Sequence, residues 1–250
     1  MFRMLELKPP HGWKAVAWEL VIVTVGVLMA LAFQQWAESV GSASRTARAR
    51  EAIRQELGDH YLNAIEWRAF SPCVASQIDR IEDRIARSKS VLRPIEVRHL
   101  DKIALAIMAP RRIYDDSAWK GSISDGTALQ LTDRERKQLT NEYWLAGQMS
   151  EIGDRFVDGD ERLLSATRPL ELDPQVKHSL FDSIDRIRAA NDLMDNTAAQ
   201  IIYWVELFGR APSRAAVQSD SERNSAVMRD FCSRQRLPVR PLSIALDPNS

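Results

Sequence analysis

Apolar and polar residues are arranged in two different ways along this chain. In residues 13–36, WKAVAWELVIVTVGVLMALAFQQW, they do not alternate: between Ala15 and Phe33 only Glu19 is charged. A helix rises about 1.5 Å per residue and a bilayer core is about 30 Å thick, so roughly twenty such residues can span it. Trp13 and Trp18 at one end and Trp36 at the other match the aromatic belts of the two interfaces. Glu19 lies about one turn in from Ala15, where its carboxylate reaches the interface, so it is read as a positioning group rather than a proton carrier. At 100° per residue Glu19, Val23, Gly26, Ala30 and Phe33 share a stripe. Gly26-x-x-x-Ala30 within it is a small-xxx-small pair through which two copies of the anchor can approach closely. Ala30-Leu31-Ala32 also fits a signal-peptidase site, but the apolar run is longer than a signal needs and continues into Gln34-Gln35-Trp36 without a breaker. It is read as a retained anchor.

Beyond Ala49 the pattern changes to one apolar face per helix. Ile53, Leu57, Tyr61, Ala64, Trp67, Val74, Ile78, Ile81 and Ile85 recur at three and four. The phase survives Ser71-Pro72, where proline either kinks the helix or restarts it with Ser71 as N-cap; the unbroken phase favours two nearly collinear helices. Arg93-Pro94 opens a shorter apolar segment, read as a short helix through Leu100, Ile103, Ala104, Ile107 and Met108 and ended by Ala109-Pro110. A second short helix starts near Ser117, carries Trp119 and stops at Gly126, ahead of Leu129 and Leu131. Thr132 and Glu135 form a capping box for a long helix bearing Leu139, Tyr143, Ala146, Met149, Ile152, Phe156 and Leu163, ending before Pro169. Asp173-Pro174 starts another, with Leu180, Ile184, Ile187, Met194, Ala198, Ile201, Val205 and Phe208 on one face and Gly209 and Pro212 as the stop. A last helix over residues 219–236 places Val227, Phe231 and Cys232 near one face, and Pro238, Pro241 and Pro248 imply an extended tail. No strand signal competes. The expected fold is all-α: a single N-terminal transmembrane helix followed by an antiparallel helical bundle. The divisions are a short cytoplasmic tail (1–12), the span (13–36), a periplasmic helical domain (37–236) and a proline-containing tail (237–250).

Charge and cysteine content refine this picture. With 34 acidic and 34 basic residues, net charge suggests neither a nucleic-acid face nor a polybasic lipid patch. Arginine outnumbers lysine and alanine is abundant, as in GC-rich bacterial genes. Arg3, Lys8 and Lys14 crowd the N-terminal flank while the far flank opens with Glu38, which favours a cytoplasmic N-terminus and places the bulk of the chain outside the inner membrane. Both cysteines, Cys73 and Cys232, lie beyond the anchor, an even number that suits an oxidising compartment; two buried free thiols are the alternative. Paired, they tie the first helix of the domain to the last.

Catalytic and cofactor signals are weak. His11, His60, His99 and His178 have no spacing that brings metal ligands onto one face. His60, near Glu56 and Tyr61, reads as a partly exposed histidine with an ordinary hydrogen bond. Asp158-Gly159-Asp160-Glu161 lacks the alternating ligands of a calcium loop, and Asp154, Asp158 and Glu161 fit a solvated helix face. Asp115-Asp116 and Arg111-Arg112 read as loop charges, and no nucleophile elbow, P-loop or dinucleotide fingerprint is present.

Glu19, the apolar run with Gly26-Val27-Leu28-Met29-Ala30-Leu31, and Gln34-Gln35-Trp36-Ala37-Glu38 together resemble the N-terminal anchor of a broad group of uncharacterised bacterial single-pass membrane proteins. Trp119, Gly126, Leu129, Leu131, Leu139 and Tyr143 resemble a second block of that group, its aromatic, G-x-L-x-L and L-x-x-x-Y order. The chain departs from it in having Trp119 where Tyr is usual and Gln34-Gln35 where Asn is common. The resemblance covers about a fifth of the sequence and implies an inner-membrane protein without supplying catalytic residues. The expectation is therefore a non-enzymatic, membrane-anchored module that binds a protein or ligand, with no cofactor, no metal and no nucleic acid. The alternatives are a membrane-tethered hydrolase with acids assembled from distant helices, or an accessory sensor acting through a partner.

Overall fold

The structure is a computed structural model that describes residues 12–100 and 103–247. Arg3, Lys8 and His11, and Pro248 of the tail, lie outside the described residues. Two compact units make up the chain, Met1–Ala49 and Arg50–Ser250. Seven α-helices are present among the described residues: α1 (Gly12–Arg87), α2 (Ser117–Ser124), α3 (Asp133–Leu163), α4 (Pro174–Leu207), α5 (Arg214–Asn224), α6 (Ala226–Arg234) and α7 (Leu242–Ala245). The all-α class is as expected.

In the first unit, α1 is the one helix among the described residues long and apolar enough to cross a membrane. Its large apolar side chains are bare: Leu20, Ile22, Leu28 and Phe33 are all more than half exposed, as are Trp13, Trp18 and Trp36. Thr24 Oγ1 donates to the Leu20 carbonyl at 2.7 Å, which satisfies the hydroxyl within the helix, as a bilayer requires. A side chain at Gly26 would meet nothing within 4 Å.

The second unit is built on three long helical segments. Residues 50–87 of α1 bury the whole stripe from Ile53 to Ile85, and α3 and α4 bury theirs from Leu139 to Leu163 and from Leu180 to Val205. Cross-helix contacts set the directions. Tyr61 bonds Glu206, Asn191 lies against the Ser71 carbonyl, Arg188 pairs with Asp79, and Lys177 reaches the Ala86 carbonyl, so α4 runs antiparallel to α1. Arg50 pairs with Glu135 and Trp67 meets Phe156 edge to face, so α1 and α3 run the same way. α3 and α4 approach closely at Gly159, where an added Cβ would sit 2.4 Å from Ile187 Cγ1.

Parallel α1 and α3 need a connection that returns the chain, and residues 88–132 supply it. Here the expected short helix over residues 93–108 is absent, and short strands appear where none was expected. β1 (Val91–Leu92) pairs with β4 (Leu170–Glu171), and β2 (Arg98–Leu100) forms a hairpin with β3 (Ile103–Leu105). After β3 the chain is extended and buried, with Ala106, Ile107, Met108, Ala109 and Tyr114 all in the core. Its backbone groups are satisfied by side chains rather than by its own helix. Asp160 Oδ1 accepts from the Ala106 and Ile107 amides, Gln77 bonds both the amide and the carbonyl of Met108, Asn63 donates to the Ile113 carbonyl, and Glu56 accepts from the Ala118 amide. Buried backbone polar groups must be paired, and this segment meets that demand through distant residues that periodicity does not reveal.

Pro72 brings a second correction. α1 continues through it as one helix instead of two collinear ones. Proline has no amide proton, so the Arg68 carbonyl loses its helical partner. Arg240 supplies the replacement: its guanidinium donates to the Arg68 carbonyl at 2.9 Å, and its backbone amide donates to the neighbouring Ala69 carbonyl at 2.9 Å. Asp195 holds that guanidinium at 2.8 and 3.0 Å. The C-terminal segment is thus part of the core. Leu237 and Ala245 are buried and residues 242–245 form α7, so the expected extended tail contains a short helix. The last expected helix is also two, α5 and α6, which meet at Ser225, and Val227 is 55% exposed rather than on the buried face.

The capping box at Thr132–Glu135 and the Asp173 N-cap form as read from the sequence. Cys73 in α1 and Cys232 in α6 pair, with their Sγ atoms 2.11 Å apart, and both are fully buried beside Phe70, Leu105, Met108 and Met228.

Candidate functional site

The return segment does not seal the bundle completely. Where residues 110–113 pass α3, a cleft of about 340 Å³ remains open. Pro110, Arg111, Arg112 and Ile113 form one wall, Ser150, Gly153, Asp154 and Val157 of α3 the other, and Trp67, Met149, Phe156 and Met194 the floor. Gly153 leaves this space because it has no side chain: the nearest atom to an added Cβ is Met194 Cε at 3.9 Å.

The walls are held by two ion pairs that sequence reasoning took for loop charges. Arg111 Nη2 lies 3.2 Å from Asp160 Oδ2, and Arg112 forms a two-pronged pair with Glu66. Asp160 and Glu66 are 1% and 7% exposed, so these acids belong to the interior and fix the arginine stems at the cleft. Burial pushes Asp160 up to about 6 against the pull of Arg111 and of the two amides it accepts. Two donors of residues near the cleft remain unused: Trp67 Nε1 and Arg111 Nε are buried and have no hydrogen-bond partner among the described residues. Such groups lose their water on folding and gain nothing in return, so each marks a place where an acceptor is missing.

A second cleft, about 260 Å³, lies between α3 and α4, floored by Ile152, Gly159 and Ala190 and rimmed by Arg155, Arg162 and Arg186. Arg155 and Arg186 have helical acid partners, Glu151 and Asp182.

His60 and Glu56, noted together in the sequence, meet in a closed polar knot. His60 Nε2 lies 2.7 Å from the Asp115 carbonyl and therefore carries the proton, and burial lowers the pKa of the ring. The ring is buried, 1% exposed, rather than partly exposed as the sequence suggested, and its Nδ1 has no partner among the described residues. Glu56 accepts from Ser117 Oγ, the Ala118 amide and Tyr143 OH. Tyr114 and Tyr143 flank the imidazole at centroid distances of 5.4 and 5.7 Å, and Trp119 stacks on Tyr143. Neither His60 nor Glu56 lines the two clefts above. Glu142, beside this knot, is 1% exposed with both oxygens unpartnered among the described residues, and burial raises it to about 8 despite the nearby Arg210 charge.

Among the described residues no three His, Cys, Asp or Glu side chains converge to hold a metal ion. The residues that define the larger cleft were visible in the sequence only as core positions or loop charges. A glycine at position 153, in the middle of a strong helix, was the one local hint. Comparison with protein-family models, with curated proteins and with solved structures finds no match for the chain.

Proposed function

We propose that this chain is a membrane-anchored binding module. Its helical domain faces the periplasm of a bacterial cell and takes a small ligand, or a small apolar group of a larger partner, into the cleft between residues 110–113 and α3. The apolar span supports the anchoring. The Arg3, Lys8 and Lys14 flank and the pairing of Cys73 with Cys232 support the orientation, since disulfides persist in oxidising compartments. Alkaline phosphatase fused after Ala43 should be active, and an inactive fusion beside an active cytoplasmic reporter at the same point overturns the topology.

The observation that carries the binding reading is the cleft itself, a preformed, mainly apolar concavity whose wall is fixed by the pairs of Arg111 with Asp160 and Arg112 with Glu66. Filling it from Gly153 is the direct test. A fragment library screened by ligand-observed NMR against the full chain in lipid nanodiscs should contain fragments whose signal disappears with Gly153→Leu. If every hit is unaffected by that substitution, the cleft is not the binding site.

A further inference from the structure

The charges around the cleft select a class of ligand. On the reading that the cleft is the binding site, we infer that its ligand is a small organic cation, a protonated amine on an apolar body. The body is set by the floor. Trp67, Met149, Phe156 and Met194 make it apolar, and the two methionines are flexible and polarisable enough to adapt to the shape laid on them. A bare metal ion would forfeit that surface, and among the described residues no three His, Cys, Asp or Glu side chains converge to hold one.

The amine is set by the balance of charge. Three charged side chains line the cleft: Arg111, Arg112 and, on the opposite wall, Asp154. Both arginines are already matched, Arg111 by buried Asp160 and Arg112 by buried Glu66. Asp220 of α5 places a further negative charge near Arg112. Asp154 is exposed and has no hydrogen-bond or ion-pair partner among the described residues, and Arg155 next to it pairs with Glu151 instead. Two arginines are thus set among four carboxylates around a concavity with an apolar floor. Apolar walls weaken the screening of such an imbalance, and a fixed charge acts over several ångströms. The preference therefore follows from the sum of the charges and not from the aim of any one atom. An ammonium group entering the cleft is attracted, a carboxylate is repelled, and a hydrocarbon meets neither effect.

Three probes sharing one ring system test this: 2-naphthylmethylamine, 2-ethylnaphthalene and 2-naphthoate. Each is titrated at pH 7.5, above the value of about 6 to which burial raises Asp160, onto the full chain in nanodiscs of zwitterionic lipid. Gly153→Leu in identical nanodiscs is the blank, so that partition into lipid subtracts out. The amine is expected to bind at least about fivefold tighter than the hydrocarbon, the effect of one unit charge a few ångströms away, and the carboxylate most weakly. That advantage should shrink in 1 M salt, where the screening length is about 3 Å. Asp154→Asn, at an exposed helix position, should reduce the advantage at least about twofold and leave hydrocarbon binding unchanged. Equal binding of amine and hydrocarbon, both lost in Gly153→Leu, overturns the cation inference and leaves the cleft reading intact. Tighter binding of the carboxylate, or an advantage untouched by Asp154→Asn, also overturns it. If Gly153→Leu changes none of the three, the cleft reading fails and the inference with it. Should that variant fold poorly, the Gly153 amide resonance of the unsubstituted chain decides the same point, since it moves with any probe seated in the cleft and stays still if none is.

Discussion

Glu142 is a buried acid whose position costs the fold stability. A glutamate with no resolved environment titrates at 4.5, and this one at about 8, because burial strips water from a carboxyl that no donor meets. The sign of the consequence follows from proton linkage. Between those two pH values the folded chain keeps a proton that the unfolded chain has released, so acid favours the folded form. The contribution is complete below pH 4.5 and is lost as pH rises through about 8. Asp160, raised from 3.8 to about 6, acts in the same direction over a lower window. The melting temperature should therefore rise as pH is lowered from about 8 toward 5, the reverse of a protein stabilised by ionised, paired carboxylates. Glu142→Gln should flatten the upper part of that profile and stabilise the chain by about 1–3 kcal/mol above pH 8. A profile unchanged by the substitution would show that Glu142 is ionised and paired in solution.

At the scale of elements, the interruption in α1 and the segment that repairs it form one unit. Pro72 leaves the Arg68 carbonyl without its helical donor, Arg240 bonds that carbonyl and the next, and Asp195 holds Arg240 in place, while Arg68 donates back to the carbonyls of Ala245 and Asp247. Arg240→Met should cost about 2–4 kcal/mol, since it leaves partly buried acceptors without donors. In a Pro72→Ala background the helix regains its own amide, so the same substitution should cost at least about 1 kcal/mol less. Additive losses in this double-mutant cycle, measured by denaturant unfolding, would separate Arg240 from the proline. The contrast with the rest of the chain shows what a sequence carries. Helices α3 and α4 were legible to within a residue or two of their starts because Thr132, Glu135 and Asp173 act on backbone groups three residues away. Residues 93–114 were not, because the groups that hold them extended, Gln77 and Asp160, lie roughly 30 to 50 positions off and face inward from helices with their own apolar stripes. The break at Ser225 was missed for a different reason: the stretch around it has few apolar positions from which to read a phase. The cleft shares the fate of the return segment, as its walls meet only once that segment is laid against α3.

For the whole molecule, the return of the last helices to α1 is secured covalently as well as by hydrogen bonds. The Cys73–Cys232 bridge spans a sequence separation of 159 and lies next to Pro72, within the same region that Arg240 and Arg68 tie together. A crosslink across so long a loop removes much of the freedom of the unfolded chain, by about 5 kcal/mol in the chain-entropy model. The hydrogen bonds from residues 240–247 act on the folded state alone, so the two effects reinforce each other: the bridge keeps the C-terminal segment near α1, and the segment satisfies the carbonyls that proline exposes. Loss of the bridge should accordingly do more than lower stability uniformly. Cys232→Ser is expected to reduce the melting temperature of the full chain by more than 10 °C, on the scale of roughly 2–4 °C per kcal/mol for a domain of this size. Hydrogen exchange should then rise first at the amides of Arg240, Ala245 and Leu246, and only afterwards in α3 and α4. Uniform exchange across all helices would mean that the segment has no separate opening, and free thiols in protein taken from the periplasm without reductant would remove both the bridge and the compartment argument built on it.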